Sequence, residues 1–398
     1  MIITPKIRGF ICTTAHPTGC RQLVTEQIAR TQARPVDRTG TPKSVLVVGG
    51  SAGYGLASRI TAAFGGGART LSLSFEKEPT AEATASAGWY NSRAFDDLAR
   101  DAGLYARSVS ADAFSDETKA EIADIIAADL GGIDLLVYSL ASPVRRDPDT
   151  GTLYRSAIKA VGEPARLKTL HVERGVVQDI DVPVATDEEI RATVKVMGGE
   201  DWERWIARLQ ARGLLNPGFR TVAYTYIGSE LTWPVYWAGT LGRAKEDLDR
   251  AGKAIRTALA PLSGDARVAV LKAVVTQASS AIPAIPLYLS LLFKVMKEQG
   301  LHEDCQDQID RLFRAAVFGD RRILTDEVGR WRVDDWEMRP DVQAEVRRRW
   351  EAVTTENLMD LSDLTGYREE FLRIFGFGVD GVDYDRDVSP LDGADSAR

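Results

Sequence analysis

An α/β fold built on a Rossmann-like, doubly wound parallel sheet follows from three features of the chain. The apolar run Val45-Leu46-Val47-Val48 feeds a Gly-x-x-x-Gly-x-Gly turn, Gly49 to Gly55, and then a helix-forming stretch. Further apolar, β-branched runs recur along the chain with helical patterns between them, the rhythm of parallel strands joined by crossovers. The second such run ends in a carboxylate, Glu76, about 25 residues beyond the turn, where a Rossmann unit sets its ribose-binding acid. Together these mark a place to hold a dinucleotide. The glycines admit backbone close to a pyrophosphate, and the helix start offers unpaired N–H groups to it.

The elements follow in order. Residues 1–43 form an N-terminal cover, with a short extended start, a polar helix around Thr25–Gln32 and a loop holding Pro35, Gly40 and Pro42. The first strand precedes the turn, the second spans Thr70–Glu76, the third Tyr105–Ser110 running into Asp112-Ala113, and the fourth Ile133–Leu140. After Ala141-Ser142-Pro143 the rhythm breaks into an insertion, 145–215. Its first part, 145–185, reads as a long loop with a hairpin, and its second as one helix, Asp187–Arg212. Strands five and six are expected at Thr221–Ile227 and Arg267–Val275. Residues 280–300 carry prolines that lead into an apolar helix, Leu287–Glu298. Lying beyond strand six, it is either the wall of a lipophilic pocket or an ordinary core helix. A C-terminal extension, 320–398, completes a single domain spanning 1–398.

Composition narrows the function. The 398 residues carry a net charge of −7 with no Lys/Arg-rich run, which argues against nucleic acid as a partner. Cys12, Cys20 and Cys305 read as free thiols in a reducing compartment. No apolar run approaches the ~18 residues of a membrane span, and Met1–Lys6 lacks the charge and apolar pattern of a signal peptide. The expectation is a cytoplasmic protein without membrane insertion. Asp383-Tyr384-Asp385-Arg386-Asp387 superficially suggests a calcium loop, but Val388 stands where glycine is needed and Ala394 where glutamate is. Cys12, His16 and Cys20 match no common zinc spacing, so no metal is expected.

Nicotinamide enzymes of the short-chain reductase kind need a phenol to serve the substrate oxygen and a lysine to hold the ribose. Tyr-x3-Lys and Tyr-x6-Lys do not occur, whereas Tyr-x8-Lys occurs at Tyr236/Lys245 and at Tyr288/Lys297. Nine positions along an unbroken helix turn through ~900°, setting the two side chains on opposite faces. A working pair therefore needs a helix that begins between them. Pro234, Gly239 and Gly242 surround the first pair and favour a helix starting near Leu241, while Leu287–Glu298 has no breaker. Tyr288 and Lys297 then read as core and surface. Spacing alone leaves the role of Tyr236/Lys245 open.

With these residues identified, the chain resembles, end to end, the FabV-type trans-2-enoyl-acyl carrier protein or enoyl-CoA reductases, relatives of the short-chain dehydrogenases that use Tyr-x8-Lys. The resemblance rests on Ile7-Arg8-Gly9-Phe10-Ile11-Cys12, the turn Gly49–Gly55, Gly88-Trp89-Tyr90-Asn91-Ser92 and Tyr138-Ser139-Leu140-Ala141-Ser142-Pro143. Val196-Met197-Gly198-Gly199-Glu200-Asp201-Trp202 and Phe375-Gly376-Phe377-Gly378-Val379-Asp380-Gly381 complete it. Gly50 departs from the pattern, which has alanine there, and is expected to loosen the turn.

The resemblance implies a single Rossmann-type reductase domain whose insertions cover the substrate, with 280–300 as a substrate-pocket helix. It implies NADH-dependent reduction of the 2,3 double bond of an enoyl thioester carried by acyl carrier protein or CoA, the last reductive step of fatty-acid elongation, in a monomer. Gly49, Gly50, Ser51, Ala52, Gly53 and Tyr54 would cradle the pyrophosphate. Phe75 and Glu76 would meet the adenosine ribose, and Asp112 and Ala113 the adenine. Leu140 and Ala141 would line the cofactor, and Val274, Val275 and Thr276 its carboxamide side. Tyr226 would contact substrate, Tyr236 would donate the proton, and Lys245 would hold the nicotinamide ribose and lower the Tyr236 pKa. Glu76 would select NADH by repelling a 2′-phosphate. The alternatives are a 3-oxoacyl or other carbonyl reductase using the same Tyr/Lys pair, and an NADH-sensing Rossmann protein without turnover.

Overall fold

The computed structural model describes residues 1–9, 11–319 and 323–392. Phe10 of the N-terminal motif, and Ala394 with the rest of the tail beyond 392, lie outside them. Seven strands form one parallel sheet: β1 Ser44–Val48, β2 Arg69–Ser74, β3 Ala106–Ser110, β4 Ile133–Tyr138, β5 Leu215–Thr225, β6 Asp265–Val270 and β7 Trp331–Arg332. Their order is β7-β6-β5-β4-β1-β2-β3. The winding reverses between β1 and β4, which pair with Val45 opposite Leu135. A crevice therefore opens at the carboxyl ends of these two strands, where an open α/β sheet binds ligand.

The β1 run is apolar on both sides because both faces of the sheet are covered. Leu46 and Val48 join Trp202, Trp205 and Leu248 on one face. Val45 and Val47 join Ile309, Leu312 and Phe313 on the other. The helices that matter for the site are α1 Gly53–Ile60, α2 Ala87–Asp101, α3 Thr240–Leu259, α4 Ile285–Glu298, α5 Pro340–Ala352 and α6 Leu364–Arg373. Helix α4 is core on most of its surface, with Leu287, Leu289, Leu291, Leu292 and Phe293 fully buried. Buried residues of α5 and α6 share its cluster.

Several expected boundaries move, for local reasons. The N-terminal helix spans Pro17–Gln32, started by Pro17 and capped by His16, whose Nδ1 accepts from the Gly19 amide at 3.2 Å. The expected helix Asp187–Arg212 is two helices, Asp187–Met197 and Glu200–Ala211. The chain breaks at Gly198-Gly199 because a Cβ on Gly199 would collide with Ala251 of α3. The insertion holds two hairpins, Val144–Arg146 with Leu153–Arg155 and Ala165–His171 with Val176–Val182. Strand β5 starts at Leu215, with its register shifting before Arg220 to absorb Pro217-Gly218. Strands β4 and β6 end at Tyr138 and Val270, short of their expected ends, which leaves Leu140-Ala141 and Leu271–Thr276 as irregular backbone at the crevice. Two-residue β7 is too short to give a sequence signal.

The segments around Gly19 and Gly376 meet. The His16 amide donates to the Phe375 carbonyl at 2.9 Å, and Gly19 lies against Gly376 so closely that neither position has room for a Cβ. Among the described residues no helix is long and apolar enough to cross a membrane, and no cluster of three or more His, Cys, Asp or Glu could hold a metal ion.

Candidate active site

The turn after β1 is shaped by Gly49, at φ +86°, where a Cβ would strike the Ser139 carbonyl at the end of β4. Ala52 begins α1 without a side-chain cap, so the first amides of that helix stay available to an anion. Across the crevice, the Tyr54 hydroxyl donates to the Lys272 carbonyl at 2.7 Å, tying the turn to the segment after β6. Gly53 faces Thr276.

Glu76 is fixed by three hydroxyls. Its carboxylate accepts from Ser51 Oγ and Ser86 Oγ at 2.5 Å each, and its amide donates to Ser110 Oγ at 3.1 Å. Gly88, at the start of α2, leaves room for that carboxylate, since a Cβ there would overlap it. Phe75 beside it is 81 % exposed. A cleft of about 220 Å³ joins Ala52, Gly53, Glu76, Lys77, Val275 and Thr276 with Cys12–Ala15 and Phe375. Asn91 Nδ2 donates to the Ser51 carbonyl at 3.1 Å while its Oδ1 is buried with no partner. The glycine turn, the uncapped helix, the Glu76 carboxylate and the unpaired Asn91 amide oxygen fit a dinucleotide.

The remaining expected contacts follow the carboxyl ends of β3, β4 and β6, and of them Val275 and Thr276 line the cleft. Asp112 is exposed and accepts from the Phe114 amide at 2.9 Å. Ala113 is buried, its carbonyl and that of Phe114 held by Lys119 Nζ at 2.8 and 3.0 Å. Lys119 in turn pairs with Asp201 at 2.8 Å. Leu140 is half-buried and Ala141 exposed. Val274 and Val275 are buried, and Thr276 caps the short helix Gln277–Ser280.

Tyr236 sits in the irregular turn between β5 and α3. That turn is braced from within by the Trp233 Nε1 bond to the Gly228 carbonyl at 2.9 Å, and from the insertion by the Thr240 amide bond to the Lys159 carbonyl at 3.0 Å. Helix α3 starts at Thr240, so the required break falls between Tyr236 and Lys245. The Tyr236 ring is 7 % exposed and stands edge-on to Tyr226, with centroids 5.0 Å apart. Among the described residues the Tyr236 hydroxyl and the Lys245 ammonium make no hydrogen bond or ion pair. Burial lowers the Lys245 pKa to about 8, opposed by Asp249. The expected lowering of the Tyr236 pKa is reversed, because loss of solvent pushes the phenol up. Tyr288 is fully buried in α4, and Lys297 is a surface residue paired with Asp363 at 2.7 Å.

Reasoning from sequence missed Glu337. It is fully buried and accepts from Tyr226, Tyr288 and the Ala273 amide. It lies 111 residues from Tyr226, in a stretch without a motif.

Residues 83–318 match the trans-2-enoyl-CoA reductase catalytic region, and residues 2–81 the NAD(P)H binding domain of trans-2-enoyl-CoA reductase. Residues 325–388 match a segment described as an enoyl reductase FAD binding domain. Within it Trp350, Tyr367 and Phe371 are spent on packing, at 9, 1 and 7 % exposure, while Trp331, Trp336 and Tyr384 are half-buried. The chain is 56 % identical to the enoyl-[acyl-carrier-protein] reductase [NADH] of Edwardsiella ictaluri over 390 residues, 98 % of each chain. The crystal structure of a Clostridium trans-2-enoyl-CoA reductase in complex with NADH is similar, with TM-score 0.94, 43 % identity and 98 % of each chain covered. The Treponema denticola trans-2-enoyl-CoA reductase in complex with NAD gives TM-score 0.93 at 48 % identity, again over 98 % of each chain.

Proposed function

The chain belongs to the trans-2-enoyl-CoA reductase family and reduces enoyl thioesters with NADH in fatty-acid synthesis, and within that reaction we propose that Tyr236 is the proton donor and Lys245 the cationic support. The observation that carries this reading is the unspent hydroxyl of Tyr236, buried against Tyr226 at the carboxyl edge, with α3 beginning between it and Lys245.

Bound NADH supplies the hydride that reaches the β-carbon. Gly49 to Tyr54 would hold its pyrophosphate, Phe75 and Glu76 its adenosine ribose, Asp112 and Ala113 its adenine. Leu140, Ala141 and Val274 to Thr276 would flank the remainder, and Lys245 would take the nicotinamide ribose. As negative charge grows on the thioester oxygen, Tyr236 donates a hydrogen bond to it, and protonation at the α-carbon then completes the saturated chain. Burial keeps this phenol protonated at neutral pH, which suits a donor rather than a base. Lys245 brings positive charge to the same edge, where low dielectric strengthens it. The acyl chain would lie along half-buried Tyr226, Leu231 and Ile282, which pack against Val235 and Ile285 in one apolar cluster. The insertion, braced on Thr240, would cover it.

We take acyl carrier protein as the carrier, a monomer as the working unit and the cytoplasm as its location. NADH oxidation with crotonyl-CoA, dodecenoyl-CoA and the dodecenoyl thioester of acyl carrier protein tests the scheme, with sedimentation at the assay concentration for the monomer. Tyr236→Phe should lower turnover by roughly a hundredfold or more at matched folded concentration. A variant that keeps wild-type turnover removes Tyr236 from the chemistry. An equal KM on both carriers removes the preference for acyl carrier protein.

A further inference from the structure

Three phenols crowd the edge of the site, and two have already spent their protons. Glu337 lies between β7 and α5 with no exposed surface. Its Oε1 accepts from the Tyr226 hydroxyl at 2.9 Å and from the Tyr288 hydroxyl at 2.7 Å, and its Oε2 accepts from the Ala273 amide at 2.7 Å. A phenol has one O–H to give. With that proton directed to Glu337, Tyr226 offers only lone pairs toward its neighbour, and Tyr236 is the phenol of the edge-on pair whose O–H remains free for a substrate oxygen.

The carboxylate is itself well fixed. Gln343 Nε2 donates to the Glu337 carbonyl at 2.8 Å and to the Tyr288 hydroxyl at 3.1 Å. Burial pushes the Glu337 carboxyl up, and the positive charge of Lys272 opposes that shift. Its Nζ donates to the Ala273 carbonyl at 2.8 Å, and its own carbonyl receives the Tyr54 hydroxyl at 2.7 Å. Glu337 thus joins the cofactor turn, the segment leading to Val274–Thr276 and the tyrosine pair in one buried network.

We infer that Glu337 is a positioning residue of the reductase: by accepting the Tyr226 hydrogen bond it sets Tyr226 as an acceptor toward its neighbour and leaves proton donation to Tyr236. This rests on the assignment of Tyr236 and Tyr226 above. In Glu337→Gln the amide nitrogen can donate where the carboxylate only accepted, so the Tyr226 hydroxyl is released to compete with Tyr236. The effect must therefore pass through the Tyr226 hydroxyl, which a double-mutant cycle detects.

The cycle comprises wild type, Glu337→Gln, Tyr226→Phe and the double variant, each with turnover of dodecenoyl-CoA and NADH affinity by fluorescence titration. The expected result is a loss of kcat of roughly tenfold or more in Glu337→Gln, with the NADH Kd within about twofold of wild type, and no more than about twofold further loss when Glu337→Gln is added to Tyr226→Phe. A Glu337→Gln loss that persists in full on the Tyr226→Phe background overturns the inference, as does an unchanged kcat. If Glu337→Gln does not fold, the same cycle is run with Glu337→Asp, which keeps the charge but withdraws it by one methylene, and the same two outcomes decide. Tyr236→Phe, measured separately, reports on the proton-donor assignment and so separates its failure from this one.

Discussion

Ser72 Oγ occupies the space that a Cβ on Gly50 would need, so a residue in the middle of β2 sets the side-chain size allowed in the turn after β1. The departure from alanine at position 50 is therefore matched by the serine beside it. The expected loosening of the turn is not what the packing shows. Val47 Cγ1 would also lie only 3.1 Å from the added carbon.

Gly50→Ala should lower stability by about 1–3 kcal/mol through overpacking. Ser72→Ala removes a buried hydroxyl that has no partner, so alone it should be close to neutral, and in combination it should restore most of the loss. Urea unfolding of the four proteins checks this. Additive effects would show that the two positions do not share one space.

Glu76 carries negative charge into the cleft on an arrangement of two serine hydroxyls and Gly88. Replacing it with alanine removes the repulsion toward a 2′-phosphate. The NADPH-to-NADH ratio of kcat/KM should rise by roughly tenfold or more. An unchanged ratio would place cofactor choice elsewhere.

Lys245 loses its proton near pH 8 in the free protein. If its charge supports the reaction, kcat/KM falls as pH rises through about 8, because that parameter reports the free enzyme. Lys245→Arg should carry this alkaline limb beyond the measurable range, since guanidinium stays charged. Stability moves the other way. The unfolded chain keeps the lysine proton up to about 10.4 and so binds more protons between the two values, which makes folding slightly more favourable as pH rises through that window. A kcat/KM flat from pH 7 to 9 would contradict the role.

Lys119 and Asp201 form an ion pair with both side chains almost fully buried. Lys119→Met leaves Asp201 charged in the interior with the Tyr138 hydroxyl, at 3.0 Å, for support. The expected cost is about 3–5 kcal/mol of unfolding free energy. The Ala113 carbonyl also loses its donor, so NADH affinity should fall. A loss below about 1 kcal/mol would mean that water replaces the lysine at Asp201.

What the sequence made legible was local. A continuous apolar run and glycine placement identified β1, its turn and the acid after β2, because strand, turn and helix follow one another there without interruption. The start of α3 was readable from Pro234, Gly239 and Gly242. The split at Gly198-Gly199 was not, because its cause is Ala251, on a helix 52 residues away. Glu337 was invisible for the same reason. A lone glutamate between a short strand and a helix reads as surface, and its burial depends on tyrosines contributed by two distant elements. The rise in the Tyr236 pKa was hidden because it depends on enclosure, which no spacing expresses.

The contact between Gly19 and Gly376 has a consequence for the timing of assembly. The ribosome delivers the turn after β1 early, yet one wall of the cleft comes from Phe375 and is held in place by that contact. That wall forms only after the segment around Gly376 has been made and has docked on Gly19, so closure of the cleft trails the synthesis of the first strands by the whole intervening length of chain.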